Sequence, residues 1–239
     1  MSNLGAHFVW IGVFIALAPA FGLFTYLEGW KKSMWLSFAT GAAGWTLALI
    51  RGPILQVIGD AFLRNWIVSA GAVAATYISI GVSSISAGVF EEGVRYFLLK
   101  KIQLIRKDSR HILSMGLGWG FGEAVLIYAV NVVSAVYLRG LSPPYTSLLL
   151  GALERNIAIA LHVGLTFIIW RAEADVRFLP VAMGIHFLID FIGVSLFLST
   201  GNIWATYCVA VAIDFILILL AYFNRKEFSR AELSLREVE

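Results

Sequence analysis

Long apolar stretches follow one another along almost the whole chain and constrain its fold more than any other feature. A helix needs about 20 mostly apolar residues to cross the hydrocarbon core of a bilayer. Seven segments meet this requirement, at residues 8–27, 33–50, 66–98, 112–138, 146–170, 178–198 and 203–223. These lengths predict an all-α, polytopic transmembrane helical bundle. The sequence of residues 53–64 predicts a short amphipathic segment that lies on the membrane surface.

The composition supports a multi-pass protein of the cell membrane. Of the 239 residues, 59% are hydrophobic and 14% are charged, whereas about 25% are charged in a soluble domain. We expect one transmembrane domain over residues 1–224 and a charged cytosolic tail over residues 225–239. The basic residues lie in loops, which predicts lipid contact and no nucleic-acid partner. The single cysteine, Cys208, excludes a disulfide framework and a cysteine-based zinc site within one chain.

The distribution of basic residues predicts the orientation. Lys and Arg concentrate in cytosolic loops of membrane proteins. If the loop after the first span is cytosolic, thirteen basic residues lie inside, against Arg51, Arg64 and Arg139 outside. The sequence therefore predicts an N-terminus outside and a C-terminus in the cytosol.

Ionisable side chains interrupt the apolar spans and point to a functional site. A charge inside a bilayer is costly, so such residues mark functional-site candidates. They are Glu91, Glu92, Arg95, Glu123, Glu154, Arg155, His162, His186, Asp190 and Asp214, with Arg177 near an edge. A cluster of glutamates, histidines and an arginine is difficult to attribute to packing alone.

Depth and helical spacing indicate that several of these side chains meet. By helix rise, Glu91 and Glu92 lie roughly 10–13 Å from the cytosolic end of their span, His162 and His186 roughly 13 Å, and Glu123 roughly 18 Å. Residues three or four positions apart share a helix face, as do Glu92 with Arg95 and His186 with Asp190. Interleaved GxxxG spacings in residues 116–122 predict close packing of the fourth span.

Paired carboxylates and imidazoles in an apolar environment suit the activation of water. The sequence therefore favours amide hydrolysis of a substrate reached from the membrane or the cytosol. Each residue also has a simpler explanation. Glu91 and Arg95 could form an ion pair at a helix end, a single histidine could make an interhelical hydrogen bond, and Glu154 could pair with Arg155. Asp214 receives no assignment.

The order of these residues resembles the glutamate-type superfamily of intramembrane proteases that includes the CAAX-processing and bacteriocin-processing enzymes, PrsW and the YhfC-type membrane peptidases. That superfamily has a paired-glutamate motif followed by a basic residue, an aromatic and glycine motif ending in glutamate, and two histidine motifs on successive helices. The motifs here are Glu91-Glu92-Gly-Val-Arg95, Gly120-Phe-Gly-Glu123, Glu154-Arg155 with His162, and His186-Phe-Leu-Ile-Asp190. The Glu-Glu-x-x-Arg spacing is closer to PrsW and YhfC than to the CAAX-processing enzymes.

The resemblance implies a role for each motif residue. It implies that Glu91 and Glu92 activate the water, that Glu92 and His162 face it, and that Arg95 holds the glutamate pair. It also implies that Glu123 lines the cavity and that His186 assists the oxyanion or shares a metal. The last motif ends in Asn in the superfamily but in Asp190 here, and an ionised Asp only accepts hydrogen bonds. No cofactor is favoured. A divalent metal such as zinc is compatible with two His and a Glu, although the HExxH spacing is absent.

The chain also resembles, along most of its length, the anterior-pharynx-defective scaffold subunit of gamma-secretase. The similar segments are Ala18-Pro-Ala-Phe21, residues 94–101, the glycine-rich fourth span and the histidines of spans five and six. Two functions therefore compete. An endopeptidase would cut a membrane-protein or lipidated-peptide substrate, whereas a scaffold would hold a membrane-protein partner. A proton-coupled transporter ranks third, because the sequence shows no internal repeat.

Overall fold

The computed structural model describes residues 3–59, 69, 71–105 and 108–236, and the regular structure in these ranges is helical. The helices are α1 (Asn3–Glu28), α2 (Lys32–Ala48), α3 (Arg51–Ile58), α4 (Ala72–Lys101), α5 (Ser109–Glu123), α6 (Tyr145–Ala172), α7 (Phe178–Thr200) and α8 (Ile203–Arg236). Seven helical segments among the described residues are long and apolar enough to cross a membrane. This confirms the prediction of an all-α bundle and of a multi-pass integral membrane protein.

Helix α6 lies at the centre of the bundle and contacts α1, α4, α5, α7 and α8. Helix α2 packs along α5, and α4 packs along α7. An apolar core of residues from six helices fills the space between them, with Trp45, Leu99, Ile112, Trp119 and Leu165 almost fully buried. The polar residues predicted to form a site are thus carried by helices that are in contact.

The interleaved glycines of α5 explain why α2 and α6 can both approach this helix closely. A methyl group at Gly118 would lie 1.9 Å from the carbonyl oxygen of Phe38 in α2. A methyl group at Gly120 would lie 2.7 Å from the Cα atom of Ile159 in α6. Each GxxxG spacing therefore serves a different neighbour, and the backbones meet because no side chain separates them.

Helix α4 runs without interruption through the paired glutamates. Gly88 does not interrupt it, because Ala72–Lys101 forms one helix. Gly88 instead permits close packing, since a methyl group there would lie 2.5 Å from the carbonyl oxygen of Met183 in α7. The predicted start of this span at residue 66 lies outside the described residues.

Two departures from regular helix lie close to the polar residues. The chain turns at residues 49 and 50 before α3, which overlaps the expected surface segment at residues 53–58 and has no buried residue. Residues 60–64 of that segment lie outside the described residues. After Glu123, α5 continues in π-helical geometry over Ala124–Val130 and again over Ser134–Leu138. Wider π turns often occur at functional sites, and here the first begins directly after a glutamate of the predicted site.

Candidate functional site

Four helices bring the predicted site residues together. The set comprises Glu91, Glu92 and Arg95 from α4, Glu123 from the end of α5, His162 from α6, and His186 and Asp190 from α7. They form one network of hydrogen bonds and ion pairs that has a fully buried part and a part bordering a cavity. Their catalytic roles stay predictions, whereas their proximity is a property of the fold.

Glu92 is the centre of the buried part. It has no exposed surface. Nη1 of Arg95 donates to its two carboxylate oxygens at 2.7 and 2.5 Å, and Nδ1 of His186 lies 2.8 Å from Oε1. The expectation that Glu92 faces water therefore differs from the structure, because its oxygens are held by an arginine and a histidine. Glu92 is placed to orient other groups.

Arg95 connects this carboxylate to the second histidine. Its Nη2 atom lies 3.0 Å from Nδ1 of His162, and its guanidinium lies 4.3 Å from the ring centroid of Trp119. An arginine can only donate, so Nδ1 of His162 accepts. The hydrogen of the neutral ring is then on Nε2, which hydrogen-bonds Oε2 of Glu123. These contacts favour the tautomer of His162 with its hydrogen on Nε2, and a metal ion bound at Nε2 would require the other tautomer and release of the Arg95 contact.

Glu91 borders the cavity. Its Oε1 atom pairs with Arg51, and its Oε2 atom accepts a hydrogen bond of 3.3 Å from Nε1 of Trp119. Nε2 of His186 lies 4.0 Å from the same Oε2 atom. The expectation that Arg95 holds both glutamates is therefore wrong for Glu91, for which Arg51 supplies the cation. Neighbouring glutamates on α4 have different environments because their side chains leave the helix in different directions.

Glu123 and Asp190 complete the carboxylates of the site. Glu123 pairs with Arg155 as well as with His162, and Arg155 also donates to Glu154 at 2.6 Å. Asp190 lies 3.7 Å from Nε2 of His186, beyond hydrogen-bond distance, and 38% of its side chain is exposed. Because ionised Asp190 is an acceptor, the structure offers no support for it as an oxyanion donor.

A cavity of about 330 Å³ lies beside this network. Its ionisable lining residues are Arg51, Glu91, Glu123, Glu154, Arg155, His162, His186, Asp190 and Asp214. Its remaining lining comes from α6, α7 and α8 and is mostly apolar, as with Ile157, Val194 and Phe197. The cavity therefore combines a reactive polar wall with an apolar wall that a lipid-soluble chain can contact.

Sequence reasoning missed two contributors to this site. Arg51 was assigned to an outside segment, yet its guanidinium reaches Glu91. Trp119 was counted as part of the glycine-rich packing helix, yet it hydrogen-bonds Glu91 and stacks on Arg95. A signal existed for Trp119, because it lies four residues before Glu123 and shares its helix face. For Arg51 the sequence offered none beyond its charge near the end of an apolar span.

Three of the side chains have a geometry suited to a metal ion. Glu91, Glu123 and His162 each offer one ligand atom, and these atoms lie within 4.8 Å of one another. Zinc binds carboxylate and imidazole ligands, and three such ligands leave one coordination position open for water or substrate. His186 adds a second imidazole whose Nδ1 is held by Glu92, an arrangement typical of metal-binding histidines. The donor set therefore fits a divalent ion.

Comparison with known proteins finds similarity to a protease family. Residues 140–213 match the model of the YhfC intramembrane metalloprotease family. The matched segment contains α6, α7 and the first part of α8, and so includes His162, His186 and Asp190. No curated protein matches the chain. The match supports the resemblance to intramembrane proteases, and the resemblance to the gamma-secretase subunit stays a prediction.

Proposed function

We propose that this protein is an intramembrane endopeptidase that hydrolyses a peptide bond in a membrane-protein or lipidated-peptide substrate. One observation carries the proposal. Glu91, Glu123 and His162 converge on one side of a cavity whose remaining lining from α6, α7 and α8 is mostly apolar. The similarity of residues 140–213 to an intramembrane metalloprotease family points to the same chemistry. A scaffold would not need convergent carboxylates beside an open cavity.

We assign Glu91 as the group that accepts the proton of the attacking water. A water in the cavity attacks the carbonyl carbon of the scissile bond and transfers a proton to the Glu91 carboxylate. Glu91 then delivers that proton to the amide nitrogen as the C–N bond breaks, which leaves a carboxylic acid and an amine. A positioned general base of this kind contributes about 10²–10⁴-fold to the rate.

Arg51 and His186 support this step from either side of Glu91. The Arg51 guanidinium lines the cavity and can stabilise the negative charge that develops on the carbonyl oxygen. Glu92 holds Nδ1 of His186, so that Nε2 is directed towards Glu91 and Asp190. Glu92 and Arg95 act through these neighbours and are positioning residues.

We further propose that Glu91, Glu123 and His162 hold a divalent ion, with zinc as the candidate. When bound, zinc supplies Lewis acidity towards the water and the scissile carbonyl. Glu91 would serve both as a ligand of the ion and as the proton acceptor, through separate carboxylate oxygens, which contact Arg51 and Trp119 in the structure. The sequence alone favoured a mechanism without metal, and the three-residue geometry now favours one with metal.

The test is a comparison of new protein termini in membranes that contain the wild-type chain or the Glu91→Gln variant. This variant keeps the size of the side chain and one acceptor oxygen, so the contact with Trp119 can persist. Asp175→Asn is the control, because it removes an acid from the loop before α7, which does not line the cavity. We expect termini that appear with the wild type and the control but not with Glu91→Gln. Identical termini in all three membranes, with all three chains folded, would contradict the proposal.

A further inference from the structure

Asp214 in α8 is a buried carboxyl group that neither the proposed reaction nor helix packing explains. Only 5% of the residue is exposed, and it lines the cavity. Among the residues that the structure describes, it has no hydrogen-bond or ion-pair partner. A buried polar group without a partner costs free energy, so the position calls for a ligand that the cavity receives.

Asp214 lies at the depth of the site. Tyr207 donates a hydrogen bond of 2.9 Å to the carbonyl of Leu150, and further along both helices Leu217 packs on Gly164. Helices α8 and α6 therefore run side by side in the same direction. Asp214 precedes Leu217 by three residues, which is about 4.5 Å of helix. It is consequently level with the turn of α6 that precedes Gly164.

That turn of α6 carries His162, and the charges lining the cavity next to it are unbalanced. Five carboxylates line the cavity, against two guanidinium groups. Arg51 pairs with Glu91, and Arg155 is shared by two glutamates. Asp190 and Asp214 are left without an arginine. The cavity therefore favours a positively charged group, in addition to any metal ion held at the three-residue site.

The wall around Asp214 determines which kind of cation fits. The lining residues of α7 and α8 include Val194, Phe197 and Ile203, which offer no side-chain polar atoms. The hydroxyl of Thr206 lies 3.5 Å from the Gly193 carbonyl, and that of Tyr207 is used by Leu150. An apolar wall leading to one free carboxyl suits a long methylene chain with a charged end.

We propose that Asp214 is a specificity-determining residue that binds the terminal nitrogen of a lysine or arginine side chain of the substrate. The N–H groups of that side chain donate to the Asp214 carboxylate while its methylene groups contact the apolar wall. This inference rests on the proposed function, since it gives the substrate class of the same cavity. It assigns a role to the acid that the sequence left without one.

Binding measurements test this inference separately from cleavage. The probes are two single-span leucine–alanine peptides, one with a lysine near the end of its apolar run and one with norleucine at that position. Their dissociation constants are measured with the full chain in lipid nanodiscs, for the wild type, Asp214→Asn and Asp214→Glu. Asp175→Asn is the control, because it removes one acid from an exposed loop.

We expect the wild type to bind the lysine peptide about tenfold or more tightly than the norleucine peptide, which is the scale of one charge-assisted hydrogen bond. Asp214→Asn should remove this preference, Asp214→Glu should keep part of it, and Asp175→Asn should keep all of it. If wild type and Asp214→Asn prefer lysine equally, or if the wild type has no preference, the inference is wrong.

The binding result does not depend on catalysis. If Asp214→Asn does not fold, the inference is tested by the dissociation constants of the two peptides for the wild type and for the Asp214→Glu variant. A wild type that cuts its substrates but binds the lysine and norleucine peptides equally overturns the assignment of Asp214 alone. A lysine preference that depends on Asp214 in a protein that cuts nothing overturns the proposed function alone.

Discussion

The two sides of α6 differ in how closely they are packed. On one side, Gly116 and Gly120 of α5 lie so near to α6 that a methyl group at either would come within 3 Å of an α6 backbone atom. On the other side, α6 borders a cavity of about 330 Å³ shared with α7 and α8. The first side fixes the positions of the helices, and the second leaves room for a substrate.

The polar network extends from the packed side of α6 to the cavity side, and the environments of its residues differ accordingly. Glu92 and Arg95 are fully buried, and they pair with each other and with His186 and His162. Nε of Arg95 has no hydrogen-bond partner among the described residues. Glu91 and Asp190 border the cavity. Adjacent ionisable residues on one helix can therefore have separate roles: Glu92 stabilises the packing of the helices, whereas Glu91 borders the cavity that would receive the substrate.

The largest expected effect follows from removing the cation of the buried part. Arg95→Met leaves the Glu92 carboxylate in a site without exposed surface, and a broken buried ion pair typically costs about 3–5 kcal/mol. We expect a matching loss in the free energy of unfolding, measured by denaturant titration in detergent micelles. Arg177→Met is the control, because this arginine side chain is 86% exposed, and its loss should leave the free energy of unfolding nearly unchanged.

A smaller effect tests whether the two sides of α6 differ as described. Gly120→Ala on the packed side should destabilise the protein by about 1–3 kcal/mol, since its methyl group meets the backbone of Ile159. Gly193→Ala on the cavity side should be nearly neutral, because its methyl group would lie 3.7 Å from the nearest atom, in Thr206. Thermal unfolding of both variants decides. Equal destabilisation would show that the two sides are packed alike.

The smallest effect concerns the residue that starts α5. Burial disfavours the charge of Asp108, but hydrogen bonds from the side chain and backbone of His111 and the backbone of Arg110 outweigh it and hold the pKa below its usual range. The stability from this charge is therefore present at neutral pH and is lost as the pH falls below about 4. Asp108→Asn keeps a capping acceptor and should remove only this pH-dependent part.

Asp108→Ala removes the helix cap as well, and should cost about 1 kcal/mol or less at pH 7. The measurement is the unfolding midpoint of the wild type and both variants between pH 3 and pH 7. An unchanged pH profile in Asp108→Asn would contradict the assignment.

The fold could be predicted from the sequence because its main signals are local. The apolar run lengths predict the spans, and the spacing of Gly116, Gly118, Gly120 and Gly122 predicts close helix packing. The structure adds which partner each glycine meets, and this depends on the arrangement of helices that the sequence does not encode locally. Gly88 is a further example, since its lack of a side chain lets α4 pack closely against α7.

The composition of the site could be predicted, but the partners within it could not. Helix spacing connected Glu92 with Arg95 and His186 with Asp190, because residues on one face are neighbours. Pairing of Glu91 with Arg51 joins residues that are 40 positions apart on different helices. The position of Glu91 beside the cavity and the full burial of Glu92 likewise depend on how α4 is rotated against its neighbours. The orientation of the chain in the membrane stays a prediction.

The central claim is that four helices form one metal-binding hydrolytic centre beside the cavity. Its most direct test is the zinc content of the full chain purified from zinc-supplemented cells, measured by mass spectrometry for the wild type, Glu123→Gln and the Asp175→Asn control. The account predicts about one zinc per chain in the wild type and the control, and at least a tenfold loss in Glu123→Gln. Equal zinc content in all three folded proteins, or a wild type that cuts substrate without bound metal, would contradict it.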